Sequence, residues 1–258
     1  MKKTLTILLA ALLAVTSITA AGVRETAPVE EVLPLEGHEL MIYCGAGMKD
    51  PFTEIADLFE KESGCTVSVI YANGGQIQSQ INTSGEGDFF IAGAATELKP
   101  VTAHITEVKD LVKHVPVLVA GSGNPYGIEG LDDLVQEGLT FIMGNVEATP
   151  IGKIAKKALA DRGILKKVEI AATTPTAPMI ATAIARGEAD AAIIWKENAA
   201  GVEGCQIVDT PDMAPYVKTI PAARLDSTAD TVAADAFYAF LDGEGAGKIW
   251  KAWGYEEI

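Results

Sequence analysis

Four short segments of mostly small, uncharged residues have the types and spacing that could bind a ligand. Each lies where a strand is predicted to end and a helix to begin, so its backbone N–H groups lack an acceptor within the helix. The partial positive charge of a helix N-terminus adds to these donors and favours an anion. One such junction would only indicate a tight turn, but four predict an anion site built without a basic side chain. The segments are residues 44–47, 73–76, 149–152 and 176–178.

No motif in the sequence indicates catalysis or a metal centre. GxSxG, HExxH, a phosphate loop with its lysine, and GxGxxG after a strand are all missing from the sequence. His38, His104 and His114 are scattered along the chain, and we expect ordinary surface histidines. We therefore predict that the protein is not an enzyme and needs no cofactor and no metal, except metal that arrives within an oxyanion.

The three cysteines are an odd number, so they cannot form a complete disulfide framework. Cys65 and Cys205 each follow a glycine at a predicted strand start, and we expect small buried side chains. Cys44 ends the first predicted strand, where a ligand would sit, and a ligand-facing role is left open for it.

Charge and composition exclude a nucleic-acid partner. Lys plus Arg number 20 against 35 Asp plus Glu, a formal charge of −15, which repels a phosphate backbone. Aromatic residues make up only 6% of the chain, too few for a stacking platform.

The N-terminus has the pattern of a signal peptide, predicted over residues 1–21. Two lysines precede an apolar run at residues 4–18, and small residues follow at the expected cleavage site. We therefore expect export to the periplasm or the extracytoplasmic cell surface; retention as an uncleaved anchor is the alternative. Residues 22–37, with two prolines and four glutamates, are predicted to be a linker.

Predicted strands and helices then alternate to the C-terminus, which indicates an α/β fold with mostly parallel sheets and helices on both faces. The number of units favours two lobes, with residues 38–116 and 222–258 in lobe I and 117–221 in lobe II. The crossings are expected in the proline-containing segments 113–121 and 216–223.

Helix ends can be predicted from capping residues. Asp50 followed by Pro51 predicts an N-cap and first turn, and Gly64 is expected to end that helix. Thr149 followed by Pro150 predicts another N-cap.

From about residue 40 to the end, the sequence resembles the molybdate-binding proteins of ABC importers, which are type II periplasmic binding proteins. The resemblance begins with MIYCGAGMKDPFTEIADLFEKESG and continues through VIYANGGQIQSQI and GDFFIAGA. In the second lobe it lies in TPIGKIAKKALADRGI and ARGEADAAIIWKENA, and it ends with FYAFLDGEGAGKIWKAWGY. It implies a monomeric receptor that closes its lobes on molybdate or tungstate and delivers the ligand to a membrane permease.

The resemblance also implies a set of ligand-binding residues. The family's two ligand serines correspond to Gly47 and Gly74, so both hydroxyls are missing, and its tyrosine corresponds to Trp195. This departure leaves open another oxyanion or a small organic anion as the ligand; an exported enzyme on the same fold is the third possibility. The expected ligand-binding residues are Ala46, Gly47, Gly74, Gly75, Gln76, Ile151, Ala177 and Trp195.

Overall fold

The structure, a computed structural model, describes residues 33–258, so the predicted signal peptide lies outside the described part. Ten strands and seven α-helices alternate along these residues. The strands are β1 (Glu39–Gly45), β2 (Thr66–Ala72), β3 (Phe89–Ile91), β4 (Ile105–His114), β5 (Pro116–Gly121), β6 (Thr140–Gly144), β7 (Glu169–Thr174), β8 (Ala191–Trp195), β9 (Cys205–Ile207) and β10 (Lys218–Leu225). The helices are α1 (Lys49–Ser63), α2 (Gly74–Ser84), α3 (Pro150–Asp161), α4 (Ala177–Ala185), α5 (Lys196–Ala199), α6 (Thr231–Phe240) and α7 (Glu244–Ala252).

The strands form two five-stranded sheets, in the orders β2-β1-β3-β10-β4 and β7-β6-β8-β5-β9. In each sheet three strands pair in parallel, whereas β10 and β5 pair antiparallel with both of their neighbours. The two-lobed α/β fold is confirmed, but the sheets are mixed rather than mostly parallel. The antiparallel members are the strands that lead the chain into the second sheet and back out of it.

The chain crosses between the sheets at residue 115, between β4 and β5, and again at residue 217, before β10. Both crossings lie within the predicted crossing segments. The predicted boundary between residues 221 and 222 would divide β10, which pairs with β4 from Lys218 onward. We therefore take lobe I as residues 33–114 and 218–258, and lobe II as residues 116–216.

Each sheet is the centre of one lobe's core. All five residues of β8 are buried in lobe II. In lobe I the C-terminal helices pack on α1, with the Phe59 and Phe237 rings 5.0 Å apart and Trp250 6.5 Å from Phe52. Among the described residues, no helix combines the length and apolarity needed to cross a bilayer.

Two predicted boundaries change in the structure. The expected N-cap at Asp50 is wrong, because a 3₁₀ turn at Ala46–Met48 precedes α1 and supplies the carbonyl of Ala46 to the Lys49 N–H group. The linker ends earlier than predicted: the Leu35 side chain is buried and its N–H donates to the Ser63 carbonyl at 2.8 Å. Residues 33–37 are therefore part of lobe I.

Candidate anion-binding site

The four predicted junctions meet at one cleft between the lobes. Residues 45–47 and 72–74 line it from lobe I, and residues 149–151 and 176–177 line it from lobe II. The other lining residues are Met48, Gly93, Glu97, His114 and Trp195. The cavity has a volume of about 40 Å³. Within the described chain, no Lys or Arg side chain lines it.

Two of the expected ligand residues lie outside this cleft. The Gln76 side chain is exposed, and its Oε1 accepts from the Asn73 N–H at 3.3 Å to complete a capping box at the start of α2. The Gly75 N–H donates to the Ala148 carbonyl of lobe II at 3.4 Å. Both residues therefore shape the junction instead of facing the cavity. The expected residues that do line it are Ala46, Gly47, Gly74, Ile151, Ala177 and Trp195.

Backbone N–H groups at three of the helix starts that line this cavity have no hydrogen-bond acceptor among the residues that the structure describes. Thr149 Oγ1 accepts from the Gly152 N–H at 3.1 Å, which leaves the Ile151 N–H of the same first turn free. Gly74 and Ala177 begin α2 and α4, where an N–H group has no acceptor within the helix. Two donors from lobe II and one from lobe I can therefore serve a single anion.

At Gly47 the lobes lie so close together that the serine implied by the resemblance would require the Asn198 side chain to shift by a few tenths of an ångström. A Cβ built on Gly47 would lie 3.2 Å from Asn198 Oδ1, 3.7 Å from the Ala177 Cβ and 3.9 Å from Trp195 Cδ1. The Asn198 Nδ2 group also donates to the Gly47 carbonyl at 2.8 Å and links the lobes. The lost hydroxyl is thus replaced by contacts with lobe II.

At Gly74 the missing side chain is replaced by a carboxyl group. A Cβ built on Gly74 would lie 1.6 Å from Glu97 Oε1, so no larger residue fits while Glu97 holds its position. Glu97 Oε2 accepts from the Gly93 N–H at 2.8 Å, and its backbone carbonyl accepts from Gln78 Nε2 at 2.9 Å. No sequence pattern indicates Glu97, although this residue is the only carboxylic acid among the residues that line the described cleft.

The environment of Glu97 favours its neutral form. The residue is 3% exposed, and this burial raises the pKa of its carboxyl to about 7. The Gly93 N–H group and the positive charge of Lys153 oppose the shift but do not cancel it. Near neutral pH, Glu97 is therefore present in both protonation states.

His114 is buried, which corrects the expectation of a surface histidine. Its side chain is 1% exposed and sits between two acceptors, the Gly93 carbonyl at 2.7 Å from Nδ1 and Glu197 Oε1 at 2.7 Å from Nε2. Because a carbonyl oxygen only accepts, Nδ1 must carry a proton. Glu197 lies in lobe II, so this contact joins the lobes beside the cavity.

The Trp195 ring closes the cleft from lobe II. It is 2% exposed and stacks on the His114 ring with centroids 3.4 Å apart and planes inclined by 15°. Its Cδ1 edge, next to the indole N–H, faces the Gly47 loop. Trp195 is thus both a core residue and a wall of the cavity.

The sequence model of the family of bacterial extracellular solute-binding proteins matches residues 40–256. This range includes nearly all of both lobes and every residue that lines the cleft. The chain belongs to the bacterial extracellular solute-binding proteins.

Two relatives are similar to this solute-binding protein along most of its length. A protein of Haemophilus influenzae described as a putative binding protein is 27% identical over 79% of this chain and 82% of its own. The molybdate-binding protein ModA of Rhodobacter capsulatus is 24% identical over 86% of this chain and 90% of its own. The resemblance to molybdate-binding proteins predicted from the motifs is confirmed.

The fold is also shared with a solved binding protein for a different solute. The sulfate-binding protein SubI of Mycobacterium tuberculosis superimposes with a TM-score of 0.72 at 15% identity, over 86% of this chain and 87% of that chain. This likeness shows the two-lobed fold.

Cys44 does not line the cleft of this solute-binding protein. Its buried thiol lies 3.7 Å from the Gly45 carbonyl, to which it donates, and burial raises its pKa well above the usual range, with the nearby Glu97 adding to the effect. It is therefore a neutral packing group. Of the other two cysteines, Cys65 is buried as expected, whereas Cys205 is only half-buried.

Proposed function

We propose that this protein is the extracytoplasmic receptor of an ABC importer and binds one small oxyanion, molybdate or tungstate, between its lobes. It would deliver the anion to a membrane permease, acting as an exported monomer without catalysis. The observation that carries the proposal is the convergence of helix N-termini from both lobes on one small cavity, where none of the described lining residues is a lysine or an arginine. The molybdate-binding relative supports the choice of ligand.

Another small oxyanion is the second candidate. The cleft lacks the serine hydroxyls implied by the resemblance and contains Glu97 at one of those places. A changed set of donors is a physical reason for a changed ligand, and SubI, which shares the fold, is a sulfate-binding protein.

A panel of oxyanions tests this proposal. Thermal unfolding of the purified protein should shift upward with molybdate or tungstate, because a ligand at 100 times its dissociation constant adds about 2.7 kcal/mol. A larger shift with sulfate or phosphate would favour the second candidate. No shift with any of the four would contradict oxyanion binding.

The backbone donors can be tested with a matched pair of proline substitutions. Ala177→Pro removes the N–H group at the first position of α4, where proline is tolerated. It should weaken binding by about 1.5–3 kcal/mol, roughly tenfold to a hundredfold, in titration calorimetry. Thr231→Pro makes the same change at the first position of α6, away from the cleft, and should leave affinity unchanged.

A further inference from the structure

Glu97 is an acidic side chain inside a cleft that otherwise attracts anions. Its Oε2 is occupied by the Gly93 N–H at 2.8 Å, while its Oε1 lies over Gly74, at the first turn of α2. The carboxylate accepts from the backbone N–H groups of Gly93 and Ala94, no hydrogen bond to Oε1 is seen among the described residues, and Glu97 lines the cavity. This oxygen is therefore in a position to meet a bound anion.

The groups around Glu97 do not neutralise it. Cys44 on β1 is buried and uncharged, and α2 presents Gly74 and the neutral Gln78. His114 on β4 directs both ring nitrogens elsewhere, to Gly93 and to Glu197. Lys153 on α3 lowers the pKa of Glu97 through its charge, but its side chain is exposed and is not part of the lining.

We infer that Glu97 Oε1 contacts an oxygen of the bound anion through one shared proton and thereby selects ligands by their protonation. A carboxylate and a fully ionised oxyanion both lack hydrogens, so they cannot bond, and their repulsion is strong in a buried site. The inference rests on the proposed function, because it concerns a ligand in the same cleft.

The proton has two possible origins. With a fully ionised anion such as molybdate, it comes from solvent and sits on Glu97, whose O–H donates to the ligand oxygen. With an anion that carries its own proton, such as hydrogen phosphate, the ligand O–H donates to the Glu97 carboxylate, and none is taken from solvent. In both complexes, one proton lies between the two oxygens.

Burial raises the pKa of Glu97 to about 7, which places the effect in an accessible range. Molybdate binding should then take up about 0.9 proton at pH 8 and about 0.1 at pH 6. The affinity for molybdate should fall by nearly tenfold for each pH unit above about 7 and stay level below it.

Titration calorimetry with molybdate, in buffers of different ionisation heat, measures this proton uptake directly. Glu97→Gln keeps an oxygen for the Gly93 N–H and offers an amide N–H to the ligand, so it should bind with no proton uptake and no pH dependence. Glu147→Gln, at an exposed residue beside Gly75, is the matched control and should behave as the wild type.

Binding of molybdate at pH 8 without proton uptake would overturn the inference and leave the proposed function intact. Equal uptake in wild type and Glu97→Gln would also overturn it, because another group would then take the proton. Absence of binding by molybdate, tungstate, sulfate and phosphate would overturn the proposed function and, with it, this inference.

Discussion

The two sides of the cleft present different chemical groups to a ligand. Lobe II presents free N–H groups at Ile151 and Ala177, positioned by a threonine cap and regular helix starts. Lobe I presents Gly47 and Gly74, whose side-chain space is taken by lobe II atoms and by Glu97 respectively. We therefore propose that the N–H groups of lobe II, together with that of Gly74, attract any anion, whereas Glu97 on lobe I distinguishes one anion from another.

This difference explains how an acidic protein can hold an anion. The donors of lobe II are fixed by the backbone and do not change with pH, since a helix N-terminus keeps its dipole. The Glu97 carboxyl changes its charge near pH 7, because burial raises its pKa to about 7. Selectivity is thus expected to reside in one side chain on one side of the cavity.

The largest effect is expected from Gly74→Ser, which restores the family's residue in lobe I. From the sequence alone, a serine there should add a donor and strengthen binding. The structure predicts the opposite, because the new Cβ would force the Glu97 carboxyl, which lines the cavity, out of its present position. We expect molybdate binding to weaken more than a hundredfold in calorimetry and stability to fall by about 1–3 kcal/mol.

Two further variants separate this steric effect from a general defect of α2. Gly75→Ser, one residue along, has no contact closer than 3.5 Å for its Cβ and should fold normally. Combining Gly74→Ser with Glu97→Ala should recover most of the lost stability, since the obstructing carboxyl is gone. A double variant as unstable as Gly74→Ser alone would show that Glu97 is not the obstacle.

The second-largest effect is that of the Glu97 carboxyl on the free energy of unfolding of the protein. The Glu97 carboxyl has a pKa of about 7 when folded against 4.5 as its ordinary value, so the folded state keeps a proton that the unfolded state releases. Below pH 4.5 Glu97 is protonated in both states and does not lower the free energy of unfolding. This penalty on the free energy of unfolding grows from pH 4.5 to 7 and is complete above pH 7. It amounts to about 3 kcal/mol.

Glu97→Gln removes this penalty and should therefore be more stable than the wild type at pH 8, by up to about 3 kcal/mol, with the difference shrinking towards pH 4.5. Urea unfolding across this pH range measures it. Glu147→Gln, at an exposed carboxylate, should differ from the wild type by less than about 0.5 kcal/mol. A pH-independent difference for Glu97→Gln would contradict the raised pKa.

The smallest effect concerns the lobe II side. Trp195→Phe keeps a ring on His114 but removes the indole N–H, so binding should weaken by about 1–3 kcal/mol. Closure of the lobes on a ligand should change the environment of the Trp195 ring and therefore the fluorescence of the protein. This change should disappear in Trp195→Phe, whereas Trp253→Phe, at an exposed residue outside the cleft, should retain it. Full signal and native affinity in Trp195→Phe would make this residue a core residue only.

Local sequence patterns were enough to predict the ends of the helices that surround the cleft. Thr149 caps α3 and Gly64, with φ of 79°, ends α1, because capping depends on neighbouring residues alone. Two strands of lobe I, β4 and β10, are not indicated by the sequence pattern, for identifiable reasons. β4 is an edge strand whose charged residues obscure the usual alternation of apolar and polar side chains. β10 contains Pro221, which is tolerated because the pairing with β4 shifts register there.

The lobe I side of the cleft could not be predicted in the same way. Glu97 follows β3 in a small-residue segment, and nothing local indicates that its carboxyl turns inward onto Gly74. The burial of His114 likewise depends on Trp195 and Glu197, which lie more than 80 residues away in the chain. Such contacts arise only when segments that are distant in the sequence, from one lobe or from both, come together.

The most direct test of the central claim is a crystal structure of the protein with tungstate, whose metal is located by anomalous scattering. We predict one tungsten peak inside the cleft, with its oxygens about 2.7–3.2 Å from the backbone nitrogens of Gly74, Ile151 and Ala177 and one oxygen against Glu97. A saturated complex whose tungsten lies outside the cleft, or inside it but beyond reach of those three nitrogens, would contradict the account.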